Sequence, residues 1–350
     1  MPRHARGCRP RAGGAIAHSS SASRVFYSDD GSTALEAAIK MAIKLFRNEG
    51  QPGRTRFVAL GDAFHGETLG VTALGGVDLF RRPFDAVLMQ CHHVPAPVDA
   101  SEEAAARAGD ALDALLADVG HEVAAVVVEP LVQGASGMRI HAPSFLRRAR
   151  AACDAHGALL IVDEVFTGYG RTGTFWAVDQ AGIRPDLVAI AKGFTGGILP
   201  MAATLATDRV FDAFLGEPAR AFHYGHSYCG HPLGCAVARE VLAVMREEQV
   251  VEGVAARAER IAASFQRMGA MPGARGARCI GMIGAVDLAP DASYLGEVGW
   301  RASAEARRRG VYLRPLGDVV YVAPPINIAL GDLDELLAVV EASVAHALAV

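Results

Sequence analysis

The sequence predicts an α/β fold: a mostly parallel sheet flanked by helices, followed by a smaller α+β region. Three observations carry this. Short apolar runs at 56–60, 123–128, 158–162 and 187–191 alternate with stretches of helical apolar spacing. Several of the runs end on polar or charged residues: Glu129 after 123–128, Asp163 after 158–162, Lys192 after 187–191. Beyond about 240 the alternation gives way to two long helices with strand-like segments between them.

Element by element, residues 1–23 read as an unstructured or atypical N-terminal segment. A strand over 24–28 leads through Asp29-Asp-Gly-Ser-Thr33 into a helix over 34–46. Residues 56–60 form a strand, 61–68 a turn into the next helix, and 80–97 an irregular Pro-rich stretch. A helix over 102–116, the β-branched strand 123–128 and a helix over 143–156 return the chain to 158–162. Strands at 187–191 and 202–207 follow, then a break at 225–232. Helices are expected over 233–247 and 251–268, a strand over 279–288 and a helix over 300–309. A hairpin of 311–314 with 319–322 around Pro315-Leu-Gly-Asp318 and a closing helix over 333–348 complete the chain. The division expected is 1–23, a large domain over 24–239 and a small α+β domain over 240–350.

Composition narrows the function. A net charge of -4 argues against a nucleic-acid footprint, which needs a basic excess. No stretch is long and apolar enough to span a membrane. The first 24 residues are basic but too poor in apolar residues for a secretory signal. Six cysteines, at 8, 91, 153, 229, 235 and 279, show no close pairing and read as free thiols of a reducing, cytoplasmic setting. Cys91, His92 and His93 are adjacent, but neighbouring side chains diverge and no fourth ligand is near, so no metal is expected.

The chemistry starts with Asp163 and Lys192. In open parallel sheets ligands sit at the carboxyl ends of strands, so an acid and an amine on two strand ends can face one pocket. A buried carboxylate needs a partner. Lys192 itself is one, as a structural ion pair. The protonated ring nitrogen of pyridoxal 5'-phosphate is another, with Lys192 as the amine that holds its aldehyde. Gly31 and Ser32 at a helix start offer backbone N–H groups to a phosphate, or Ser32 or Thr33 is an ordinary helix cap. Phe64, between glycines at a strand end, stacks on a flat ligand or plugs the core.

The wording of these segments resembles the class III, subgroup II aminotransferases of fold type I. The resemblance runs from about Arg24 to the C-terminus. It rests on Asp163-Glu-Val-Phe-Thr-Gly-Tyr-Gly-Arg-Thr-Gly173 and on Ala191-Lys-Gly-Phe-Thr-Gly-Gly197. It implies pyridoxal 5'-phosphate as cofactor, Lys192 as its covalent anchor and catalytic amine, and Asp163 as partner of the ring nitrogen. It further implies that Gly31 and Ser32 contact the phosphate, and that Phe64 and Val165 pack on opposite ring faces. His65, Glu129 and Gln133 would lie beside the cofactor. A homodimer with shared sites follows, Ser227 completing the partner's phosphate site where relatives carry Thr.

Within the family, three segments resemble the branch in which S-adenosylmethionine gives an amino group to 8-amino-7-oxononanoate. They are 28–33 with Glu36 and Lys40, 224–235, and 311–321 followed by Pro324-Pro325. On that likeness Arg314 holds the substrate carboxylate, with Tyr321 and Gly225 in the substrate pocket. A lysine-donor variant, an ω-amino-acid or ornithine transaminase and an inactive homologue are the alternatives. No G-x-G-x-x-G follows the first strand, which disfavours a dinucleotide enzyme. The family also carries a longer N-terminal portion, with a hairpin arm, an aromatic pair and a first helix, so the natural start is expected upstream.

Overall fold

A computed structural model of the protein describes residues 22–290 and 292–349. The expectations for 1–21 lie outside the described residues. A seven-stranded sheet has the order β1-β9-β8-β7-β4-β2-β3. Its strands are β1 (Arg24–Ser28), β2 (Arg56–Leu60), β3 (Cys91–Val94), β4 (Val123–Val128), β7 (Leu159–Asp163), β8 (Leu187–Ile190) and β9 (Ala202–Ala206). From β3 to β8 the pairing is parallel; β9 runs antiparallel to both β8 and β1.

Alternation along each strand builds two cores from one sheet. Val126, Val128, Leu160, Val162, Val188 and Ile190 face one way, onto α4 (Glu102–Val119) and α5 (Pro143–His156). Ala125, Val127, Leu159, Ile161, Leu187 and Ala189 face the other way, onto α1 (Gly31–Asn48). Burial on both faces is why these strands read as continuous apolar runs rather than as alternating ones.

Between them in sequence lie two short helices, α2 (Leu69–Leu74) and α3 (Asp78–Arg81), and a two-stranded ribbon of β5 (Val132–Gln133) and β6 (Arg139–Ile140). After β9 come α6 (Asp208–Asp212), α7 (Pro232–Glu247) and α8 (Val254–Gly269). A second, antiparallel sheet joins β10 (Arg275–Ile280), β11 (Ile283–Asp287) and β12 (Val319–Val322). Its Met282, Val286 and Val320 pack with α8, α9 (Val298–Arg308) and α10 (Leu330–Ala349). Its Ile283, Ala285 and Val319 join the core of the large sheet instead.

Three expectations are corrected. The stretch 80–97 contains β3, an edge strand whose Cys-His-His-Val sequence carries little apolar signal. The single strand expected over 279–288 is two strands. The chain turns at Gly281, where φ is +51° and an added Cβ would strike the backbone of Arg171 and Thr172. The hairpin of 311–314 with 319–322 does not form. β12 pairs with β11, and Leu316 makes an isolated bridge to Val319.

Candidate active site

The carboxyl ends of β2, β4, β7 and β8 and the N-terminus of α1 open onto one cavity of about 490 Å³. It is lined by Gly31, Ser32, Phe64, His65, Glu129, Asp163, Val165 and Lys192. The other wall comes from the C-terminal region, through Tyr294, Arg314, Leu316 and Tyr321. A larger hollow of about 780 Å³ adjoins it and shares Tyr294 and Leu316, but holds neither the buried acids nor the lysine.

Helix α1 presents its first turn to this cavity. Its cap is Asp30, which accepts the Thr33 N–H at 2.9 Å while Thr33 Oγ1 accepts the Asp30 N–H at 3.2 Å. The cap expected at Ser32 or Thr33 is therefore displaced to Asp30. Gly31 and Ser32 become the first two helical residues, whose N–H groups have no acceptor inside a helix. The Glu67 N–H reaches Ser32 Oγ at 3.2 Å. Gly66 packs so closely on Ser32, at φ +125°, that any side chain would collide with it. The result is a tight cradle of backbone donors.

Asp163 is buried and held from two sides. Its Oδ1 accepts the Val165 N–H at 3.1 Å, and its Oδ2 lies 2.9 Å from His65 Nδ1. His65 is fully enclosed. Burial alone would depress its pKa, but the bond to Asp163, that carboxylate's charge and the charge of Glu129 raise it. Its Nε2 has no partner among the described residues. Glu129 accepts the Phe64 N–H and the Gly134 N–H, each at 3.0 Å. Burial pushes its carboxyl up to about 7, against the pull of His65. Glu129 thus ties the Phe64 loop to the β4–β5 loop.

Lys192 begins a single 3-10 turn one residue past the end of β8, after Ala191, with φ +44°, a strained value for a residue with a side chain. Its Nζ lies over the Phe166 ring, 5.2 Å from the centroid. Among the described residues it forms no ion pair with Asp163, so the structural-pair alternative is not realised: Asp163 is taken by His65. Arg314 is exposed on the cavity wall and has no carboxylate partner among the described residues. It faces Tyr321, whose pKa burial raises and Arg314 lowers.

Gly225 and Ser227 stand apart. Both are exposed on the loop before α7, outside the lining of this chain's cavity. His226 between them lies 3.1 Å from Asp29, just ahead of α1. Sequence reasoning missed Phe80, Met138, Phe166 and Tyr294 on the cavity wall. Phe166 was within reach, two residues beyond Glu164 in the quoted motif. Tyr294, in a loop before α9, carried no pattern.

The arrangement suits pyridoxal 5'-phosphate. A carboxylate with lone pairs left over, an amine without a salt-bridge partner, an aromatic and a branched side chain on the walls, and a helix start with open donors surround one space. Such a sheet with such a set of groups defines a pyridoxal-phosphate-dependent transaminase fold. The chain belongs to the aminotransferase class-III family, whose profile matches residues 11–344, and pyridoxal phosphate is the cofactor of that family.

An adenosylmethionine-8-amino-7-oxononanoate aminotransferase of Nitratidesulfovibrio vulgaris is 42% identical over 339 residues, covering 92% of this chain. The chain spans 62% of that relative's length. The structure of the Methanocaldococcus jannaschii enzyme of the same name superposes with a TM-score of 0.90 at 28% identity, covering 96% of this chain and 78% of that one. A pyridoxal-phosphate-bound amine transaminase from an uncultivated Pseudomonas matches with a TM-score of 0.90 at 31% identity, covering 97% and 82%.

Proposed function

We propose that this protein transfers an amino group from S-adenosylmethionine to the ketone of 8-amino-7-oxononanoate, giving 7,8-diaminononanoate for biotin formation. The observation that carries this is Arg314, an exposed guanidinium without a carboxylate partner on the wall of a cavity whose floor holds Asp163 and Lys192. It suits an acceptor that ends in a carboxylate. Relatives named for this reaction support the specific substrates.

Bound in this cavity, pyridoxal phosphate supplies the electron sink that stabilises negative charge at the amine-bearing carbon. The chain's own residues do the rest. Asp163, aligned by His65 and the Val165 N–H, would keep a proton on the ring nitrogen. Gly31 and Ser32 would hold the phosphate. Phe64 and Val165 would enclose the ring, and Glu129 fixes Phe64 through its backbone N–H. Lys192 would hold the cofactor through its aldehyde and would move a proton at the amine-bearing carbon. Arg314 and Tyr321 would orient the acceptor so that its ketone faces the space beside Lys192 where the transferred amino group would be held.

The assembly we infer is a homodimer, in which Ser227 and Gly225 serve the partner's cavity. Their exposure on the loop beside α1 supports this. The setting we infer is cytoplasmic, a reading supported by Cys91, Cys153, Cys229 and Cys279 standing as free thiols. Among the described residues no helix is long and apolar enough to cross a membrane.

The test is a transamination assay with 8-amino-7-oxononanoate as acceptor and S-adenosylmethionine and lysine as competing donors. Turnover with S-adenosylmethionine is expected. Turnover with lysine alone would assign the lysine-donor variant. Turnover only with simple ω-amines and pyruvate would replace the reading by the amine-transaminase one, to which the Pseudomonas structure also points. No turnover with any pair would leave the inactive homologue.

A further inference from the structure

Arg171 belongs to none of the groups that line the cavity, yet it ties the loop after Asp163 to the segments on either side of the second sheet. It lies in the loop between β7 and β8, two residues after Tyr169. The Tyr169 ring packs so closely on Gly193 that a Cβ there would approach it to 2.8 Å. Gly193 follows Lys192. From this loop Arg171 reaches the other sheet twice. Its main-chain carbonyl accepts the Met282 N–H at 2.9 Å, at the turn between β10 and β11. Its Nη1 donates to the Pro324 carbonyl at 2.6 Å, just past β12. β12 carries Tyr321, and Arg314 stands on the segment leading to it.

This contact is an expensive one. The guanidinium is enclosed enough that burial lowers its pKa to about 10, and among the described residues no carboxylate pairs with it. An uncompensated cation at a packed interface costs stability that an apolar residue would avoid. Its fork of donors supplies directionality instead, fixing one carbonyl of the 323–328 segment from the large-sheet side. Arg257 of α8 holds the same segment from the other side, donating to the Ile328 carbonyl at 2.7 Å.

We propose that Arg171 is a positioning residue that locks the substrate-binding edge, Arg314 and Tyr321, in register with the Lys192 turn. This rests on the reading of Arg314 and Tyr321 as acceptor contacts. In the locked register the acceptor carboxylate and its ketone span the fixed distance between Arg314 and the reacting centre. Without it the cofactor pocket stays intact, while the acceptor clamp drifts.

The test uses R171Q, which removes the cation, and R171K, which keeps it with a shorter reach. Hydrogen exchange is measured on the apoprotein, then steady-state kinetics and cofactor retention on the loaded enzyme. For R171Q, exchange within 319–328 and 281–284 should quicken about tenfold, the scale of one charged hydrogen bond, with the large sheet unchanged. The acceptor KM should rise about tenfold with kcat and cofactor retention within about twofold of wild type. R171K should fall between, and if R171Q fails to fold the same comparison is made on R171K alone. Unchanged exchange in these segments, or faster exchange spread evenly over the molecule, overturns the proposal. The exchange measurement needs no substrate, so a failure of the Arg314 reading would show separately, as an unaltered acceptor KM in R314A.

Discussion

His65 Nδ1 lies 2.9 Å from Asp163 Oδ2, with the imidazole wholly enclosed and the carboxylate open only to the cavity. The acid that opens to the cavity is thus aimed by a histidine whose ring is closed to solvent. His65→Ala leaves Asp163 with the Val165 N–H alone. We expect cofactor retention on dialysis to fall and kcat to drop about 10–100-fold, as for other residues that orient a functional group. Wild-type retention and kcat would assign His65 to packing.

Arg314→Ala should raise the KM for the keto-acid acceptor about 10–100-fold, the scale of a lost charge-assisted pair, while cofactor retention stays unchanged. Steady-state kinetics beside dialysis of the bound cofactor measures both. Equal losses in the two would contradict a carboxylate role.

The homodimer proposed above, with Ser227 serving the partner's cavity, predicts complementation. Lys192→Ala and Ser227→Ala homodimers should each be impaired, the first by at least about 10²–10⁴-fold. Mixed and allowed to exchange subunits, they should recover activity, because a hybrid has one cavity with both residues intact. Failure to recover in a mixture shown to contain hybrids would place Ser227 outside the partner's site.

Glu164, outside the lining of the cavity, offers a pH test of its own. Its side chain is fully buried, accepting the Thr167 hydroxyl at 2.6 Å and the Val178 N–H at 3.0 Å. Burial raises its carboxyl to about 7 against these bonds, from an ordinary 4.5. A carboxyl raised on folding contributes stability that is complete below its unfolded value and is lost as pH climbs through the folded one. Glu164 should therefore cost the apoprotein on the order of 3 kcal/mol between about pH 4.5 and 7. Glu164→Gln keeps the shape without the ionisation and should make the fall in melting temperature over that range shallower, Glu129 supplying what remains. Parallel wild-type and mutant curves would refute this.

The sequence by itself determined the parallel sheet, because strands buried on both faces must be apolar throughout, and 123–128 and 158–162 can be little else. It also marked Asp163 and Lys192, since charges at the ends of such strands have no packing purpose. The signature segments around them were enough to assign the family. What it left open depended on contacts between distant stretches. That His65, rather than Lys192, takes Asp163 required β2 and β7 to be carried to one edge with β4 between them. That β12 pairs with β11, and not with 311–314, was decided by where Ile283 and Val319 find their core. That Glu129 grips the Phe64 backbone, and Arg171 the Pro324 carbonyl, depends on loops 65 and 153 residues apart meeting. Local patterns encode which face a residue buries; only the closed tertiary structure decides which buried polar atom meets which.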